Sequence, residues 1–192
     1  MMSVITPCRS SVLATRWFAL VLTTALVLVV LLAVGARAWE LHGVITDHAQ
    51  RGVAPARGWV FFGQIIAANL AAVALCASGL LSFGIGTVVL APVVGANLAV
   101  LLSTGHQWLS PHEWAWGLAV HGSGEAVAVL LGAVMGLYPV VRAAAQSIVP
   151  GRPGSFLTLY FRAVAETLWI GVVIVVVVVA AAGWETLVSA RL

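Results

Sequence analysis

Five long apolar segments run through this chain, and few charged residues fall inside them. A helix needs about 20 mostly apolar residues to cross the hydrocarbon core of a bilayer, which is about 30 Å thick. The segments cover residues 17–38, 58–81, 85–102, 112–141 and 164–183. Because backbone amides find no water in lipid, each segment is predicted to be a helix. The sequence therefore predicts an all-α, polytopic transmembrane helical bundle of about five spans, forming a single domain over residues 1–192.

The composition excludes several other classes of protein. Hydrophobic residues make up 62% of the chain and charged residues 8%, whereas a soluble domain is about 45–50% apolar and about 25% charged. The net charge of +3 comes from scattered single arginines, and a nucleic-acid partner is not expected because such sites need clustered basic residues. Cys8 and Cys76 form no CxxC pair, which argues against a disulfide or a thiolate metal site.

The arginines also indicate an orientation in the membrane. With five spans, five arginines lie on the side of the N terminus and four on the other side. Cytoplasmic loops carry an excess of Lys and Arg, so we expect a bacterial cytoplasmic membrane protein with a cytoplasmic N terminus. The first group is Arg9, Arg16, Arg142, Arg152 and Arg162, and the second is Arg37, Arg51, Arg57 and Arg191. Residues 142–162 are expected to form a basic loop between the last two spans.

An acidic residue inside a span is the most informative anomaly. Glu125 falls near the middle of the predicted fourth span, where a charged carboxylate costs roughly 2.5–3.5 kcal/mol on insertion scales. His121 precedes it by four residues, and side chains at this spacing lie on the same face of a helix. Glu166 also has an arginine, Arg162, four residues before it. That second pair is interpreted as an ordinary surface ion pair.

Small residues surround the His121–Glu125 pair. Gly122, Ser123 and Gly124 lie between the two side chains and leave room for another helix to approach. Gly132 and Gly136 extend this groove along the same helix. Glycines at this spacing favour close helix packing, either within one chain or between two copies in a homo-oligomer.

Two amides complete the predicted site. Asn69 lies in the second span and Asn97 in the third, and an amide in hydrocarbon needs a hydrogen-bond partner. We therefore predict a buried polar cluster of Asn69, Asn97, His121 and Glu125. The simplest interpretation is that these residues only hold the helices together.

Three kinds of chemistry compete with that simple interpretation. A zinc site needs three or four ligands, and the fourth span offers only His121 and Glu125. A serine peptidase needs a base within hydrogen-bond reach of its nucleophile, but Ser123 and His121 lie on different faces. A proton or ion relay through His121 and Glu125 is physically reasonable, because imidazole titrates near neutrality. The sequence predicts no enzyme: no catalytic residues, metal site or cofactor.

Several of these residues resemble the stage II sporulation protein M family of membrane proteins. The shared elements are Asn69, the stretch Gly79…Gly84-Ile85-Gly86-Thr87, Asn97, His121-Gly122…Glu125, and Glu185 behind Ala180-Ala181-Ala182. The resemblance covers somewhat over half the chain. It implies a polytopic helical protein without assigned catalytic activity, whose founding member acts with partners that remodel septal peptidoglycan.

Two functions follow as expectations. The first is an integral membrane scaffold that recruits protein partners to an envelope-remodelling complex, in contact with membrane lipid. The second is a small transporter or channel component that uses His121 and Glu125 as an intramembrane proton or ion site. A homo-oligomer is compatible with either function.

Overall fold

Helices account for nearly all of the described chain, and no strand occurs in that part. The computed structural model describes residues 9–45, 59–108, 110–148 and 154–189. Its long helices are α1 (Arg9–Ile45), α2 (Trp59–Ala77), α3 (Ile85–Trp108), α4 (Val120–Ser147) and α5 (Phe156–Ser189). All five contain a stretch long and apolar enough to cross a membrane. The prediction of an all-α bundle with five spans is confirmed, and the β-branched run at residues 175–179 is helical within α5.

Helix α4 lies at the centre of the bundle. It packs against each of the other four long helices, most extensively against α5. More than half of its apolar stretch is buried inside the protein, whereas less than a third of the apolar stretch of each other long helix is buried. Since lipid is as apolar as a leucine side chain, the exposed apolar residues of those helices need no protein cover. A polar side chain on α4 therefore meets protein on most sides.

The connection between α2 and α3 is a tight antiparallel turn, as its length predicts. A short 3-10 turn, Ser78–Leu80, follows α2, and the backbone N–H of Gly84 donates to the Gly79 carbonyl at 2.8 Å. Phe83 and Gly84 both have positive φ, at 50° and 88°. Glycine adopts that conformation without strain, and at Phe83 the short turn imposes it.

Thr87 ties this turn to the end of α2. Its hydroxyl donates to the Cys76 carbonyl at 2.6 Å and accepts the Gly79 N–H at 3.2 Å. From α5, the Tyr160 hydroxyl reaches the same turn and donates to the Leu80 carbonyl at 2.8 Å. These contacts satisfy backbone groups that the end of a helix leaves unpaired.

The glycines of α4 pack against this same region. A Cβ atom on Gly136 would lie 2.8 Å from the Cys76 carbonyl oxygen and would also meet the Thr87 hydroxyl, and one on Gly132 would lie 3.1 Å from the Val73 carbonyl oxygen. Both glycines therefore let α4 approach the backbone of α2. Of the two arrangements that the spacing allowed, the structure has packing within one chain.

The fourth span differs from the predicted range of 112–141. A helical turn at Pro111–Glu113 and a π-helical segment at Trp114–Ala119 precede α4, and the described apolar stretch is Gly122–Ser147. The helical conformation is continuous from Pro111 to Ser147, so Glu125 lies well inside it, and its depth in the bilayer stays a prediction. The helix extends six residues beyond the predicted end at 141, where Arg142 contacts Glu166 of α5.

Candidate functional site

A cavity of about 270 Å³ brings together three of the four residues predicted to form a polar cluster. Asn69 of α2, Asn97 of α3 and Glu125 of α4 all line it. The rest of the lining is apolar and comes from the same three helices: Ala68, Ala72, Val73, Val94, Leu98, Leu101, Ala128 and Val129. The helices therefore hold two amides and one carboxylate around a single space, as the sequence predicts.

Among the residues whose side chains the structure describes, Glu125 is the only ionisable one that lines this cavity. Its side chain is half-buried and takes part in a further interaction within the protein. The backbone of His121 belongs to α4, one turn earlier, but its side chain lies outside the described residues. The predicted contact between His121 and Glu125 therefore stays a prediction.

The two amides differ in their hydrogen bonds. Asn97 is exposed, and its Nδ2 donates to the Val93 carbonyl of its own helix at 3.1 Å. Asn69 is half-buried, and its Nδ2 is enclosed without an acceptor among the described residues. A buried amide hydrogen without a partner costs about 1–3 kcal/mol. The cavity therefore presents an unsatisfied donor beside a carboxylate.

The small residues around Glu125 allow two neighbouring helices to approach. A Cβ atom on Gly122 would lie 2.8 Å from Leu102 of α3, and one on Gly124 would lie 2.8 Å from Ala181 of α5. Ser123, between them, is exposed and takes part in an interaction of its own. Both glycines lie where α4 comes close to a neighbouring helix, and this packing fixes the position of Glu125.

This chemistry suits hydrogen bonding and the binding of a proton or small cation. The carboxylate accepts hydrogen bonds, and each amide offers both a donor and an acceptor. In the described part of the chain, no three His, Cys, Asp or Glu residues lie close enough together to hold a metal ion. A partner group that both donates and accepts would satisfy the cavity best.

A second polar site surrounds Glu166, and the sequence interpretation missed most of it. Arg142, expected in a basic loop, lies inside α4, where only 2% of the residue is exposed. Its guanidinium group donates to both oxygens of Glu166 on α5, through Nη2 to Oε1 at 3.1 Å and through Nη1 to Oε2. It also lies over the Tyr138 ring, 5.9 Å from the centroid. The expected loop residue is thus a buried ion-pair partner.

Two more arginines contact the same carboxylate. Arg16 of α1 donates from Nη2 to Oε1 of Glu166 at 3.0 Å, and Nε of Arg162 lies 3.6 Å from the same oxygen. The Arg162 pair is the surface contact that the spacing predicted, but it is one of three. We call Arg16, Arg142, Arg162 and Glu166 the arginine cluster.

One sequence signal could have revealed the buried position of Arg142. Tyr138, Arg142 and Gln146 follow one another at intervals of four residues, which places them on the same face of a helix. All three are buried against neighbouring helices. A polar stripe with this spacing indicates that the helix continues past residue 141 and that the stripe faces the bundle.

Comparison of the sequence with family models, with curated proteins and with solved structures finds no match.

Proposed function

We propose that this chain is a non-enzymatic scaffold that recruits another membrane protein to an envelope-remodelling complex. The partner is a protein with a transmembrane helix, and a polar side chain of that helix enters the cavity at Asn69, Asn97 and Glu125. The proposal places the chain in a bacterial cytoplasmic membrane with its N terminus in the cytoplasm, on the side of the exposed residues Arg16 and Arg162.

The observation that carries the proposal is a polar cavity between helices that face outward. Asn97 is exposed on α3, and the Nδ2 of Asn69 finds no acceptor in the described part of the chain. In lipid neither amide can turn to water for a hydrogen bond. Polar side chains that hydrogen-bond across helices stabilise helix association in membranes. A partner helix that hydrogen-bonds the exposed amide of Asn97 is therefore favoured over lipid at this place.

The envelope role depends on the resemblance to the stage II sporulation protein M family. The residues of that resemblance fall into two groups in the structure. Asn69, Asn97 and Glu125 line the cavity, whereas Gly79, Gly84 and Thr87 build the turn between α2 and α3. One group thus supports a binding site and the other supports its framework.

Site-specific photocrosslinking in living cells tests the recruitment. A photoreactive residue in place of Ala68, which lines the cavity, is expected to capture one membrane protein of envelope synthesis or hydrolysis. The same residue in place of Leu70, two positions along the helix and exposed on another face, is the matched control and is expected to capture lipid only. Asn97→Leu should remove the crosslink at position 68.

A second control separates the amide from a general change in the surface of α3. Val93 is exposed one turn before Asn97 and does not line the cavity, so Val93→Leu should leave the crosslink unchanged. Capture of lipid alone at position 68, or of a second copy of this chain, would contradict recruitment of a different protein.

The single carboxylate in the cavity favours a second candidate function. Glu125, Asn69 and Asn97 line one space and all carry side-chain oxygen atoms, and oxygen atoms are the ligands of hard cations. The chain would then be a small transporter or channel component, with Glu125 as its proton or ion site.

Replacing Glu125 with Gln distinguishes the two functions. Glutamine keeps the shape and one acceptor oxygen of the side chain, replaces the other oxygen with an amide donor, and does not titrate. A scaffold is expected to retain its crosslinked partner in E125Q, with a yield within about two-fold of wild type. A relay is expected to lose ion flux in proteoliposomes while it still folds and assembles. If E125Q transports as well as wild type, the second candidate is excluded.

A further inference from the structure

We propose that the arginine cluster binds the phosphate of an anionic phospholipid, with Arg16 and Arg162 as the binding residues. This site is distinct from the cavity at Glu125. On α4, 17 residues separate Glu125 from Arg142, which corresponds to about 25 Å along a helix.

The arginine cluster contains more positive than negative charge. Three guanidinium groups contact a single carboxylate, that of Glu166. The next acidic residues on the same three helices are Glu40, Glu125 and Glu185. Each is 17 or more residues from the cluster, or about 25 Å and more along its helix. Among the described residues of these helices, the cluster therefore keeps an excess of positive charge.

Arg16 and Arg162 carry this excess of positive charge. Arg142 is buried, with 3% of its side chain exposed, and both of its terminal nitrogens bond Glu166. Arg142 and Glu166 therefore form the neutral, bidentate pair of the cluster. Arg16 and Arg162 each reach only one oxygen of that carboxylate, and their side chains are 38% and 72% exposed. These two guanidinium groups remain available to a second anion.

The guanidinium groups of Arg16 and Arg162 lie close together. Arg16 and Arg162 approach the same atom, Oε1 of Glu166, at 3.0 and 3.6 Å. Their guanidinium groups are therefore neighbours, although they come from α1 and α5. A phosphate has several oxygens that accept hydrogen bonds from arginine, and such contacts are among the stronger ones in proteins. One phosphate can bridge the two side chains.

Exposed aromatic residues beside the two arginines favour a lipid as the source of that phosphate. Arg16 begins the apolar stretch of α1, and the next residues, Trp17 and Phe18, are exposed. Phe161, beside Arg162, is exposed as well. Apolar and aromatic side chains of this kind face lipid near the bilayer boundary. A headgroup at this boundary would meet both arginines while its acyl chains lie along the exposed aromatic residues.

Native mass spectrometry of the detergent-solubilised full chain tests the proposal, with phosphatidylglycerol and phosphatidylcholine as probes. A basic residue near an anionic membrane surface contributes about five-fold in affinity. We therefore expect phosphatidylglycerol to bind about 25-fold more tightly than phosphatidylcholine. The double variant R16Q/R162Q should lose this preference. R37Q, which removes a charge near the other end of α1, should keep it.

A single variant covers the case in which the double variant does not fold. R162Q removes an exposed side chain and leaves the Arg142–Glu166 pair intact, and it should lower the preference about five-fold. Equal binding of the two lipids by wild type, or an equal loss in R37Q, would overturn the proposal. Displacement of phosphatidylglycerol by an excess of inorganic phosphate would also overturn it, since free phosphate would then be the ligand.

Discussion

Replacing Glu166 with Ala is expected to destabilise the protein by about 3 kcal/mol, because it leaves the charge of Arg142 buried without a partner. Arg142 is almost fully buried between α4 and its neighbours, and Glu166 is its bidentate acceptor. The value lies at the low end for buried pairs because 30% of the Glu166 side chain is exposed. Unfolding in mixed micelles of increasing SDS content, followed by circular dichroism, measures the change.

Two further variants show whether the buried charge is the cause. R162Q removes the exposed partner of the same carboxylate, at 3.6 Å, and should cost less than about 1 kcal/mol. R142M/E166M removes both members of the buried pair and should recover most of the stability lost in E166A, because Arg142 no longer leaves a buried charge and the remaining partners, Arg16 and Arg162, are more exposed. An E166A protein as stable as R162Q would contradict the buried ion pair.

Replacing Gly136 with Ala is expected to cost about 3 kcal/mol or to prevent folding. The added methyl group would lie 2.8 Å from the Cys76 carbonyl oxygen and 3.2 Å from the Cα of Ala77. These are backbone atoms of α2, so they cannot move aside as a flexible side chain does. Overpacking in such places typically costs about 1–3 kcal/mol. The same SDS titration measures the loss.

Gly183 provides the matched control for Gly136. A Cβ atom there would meet nothing within 4 Å, so Gly183→Ala should be neutral or stabilising by up to about 1 kcal/mol, as alanine is the better helix former. If G136A folded with unchanged stability and instead altered the oligomeric state, the glycine face would lie between two copies of the chain. This result would contradict the contact between α4 and α2 within one chain.

Three residues that line the polar cavity could be identified from the sequence alone. Asn69, Asn97 and Glu125 stand out because a polar side chain in an apolar segment carries a desolvation cost wherever that segment packs. Because this desolvation cost depends on the residue type, it can be recognised from the sequence. That all three line one cavity depends on how α2, α3 and α4 pack, because Nδ2 of Asn97 donates to its own helix and Nδ2 of Asn69 has no acceptor among the described residues.

The contacts within the arginine cluster could not be predicted from the sequence alone. An arginine at the end of an apolar segment is compatible with a loop, a surface position or a buried pair. The spacing of Tyr138, Arg142 and Gln146 favours a buried face but names no partner for Arg142. That partner is Glu166, which is 24 residues away on α5, and the contact depends on the orientation in which α4 and α5 pack. The same holds for Gly136, whose spacing from Gly132 permits contact with any helix.

The sequence alone determined that the chain is a bundle of five membrane-spanning helices, because hydropathy and backbone hydrogen bonding act on each segment separately. It also singled out the residues that are costly in lipid. Only the tertiary structure decided which helix lies at the centre, how far α4 extends, and which arginine is enclosed with Glu166. These outcomes depend on contacts between segments distant in the chain, where several pairings satisfy the same local preferences.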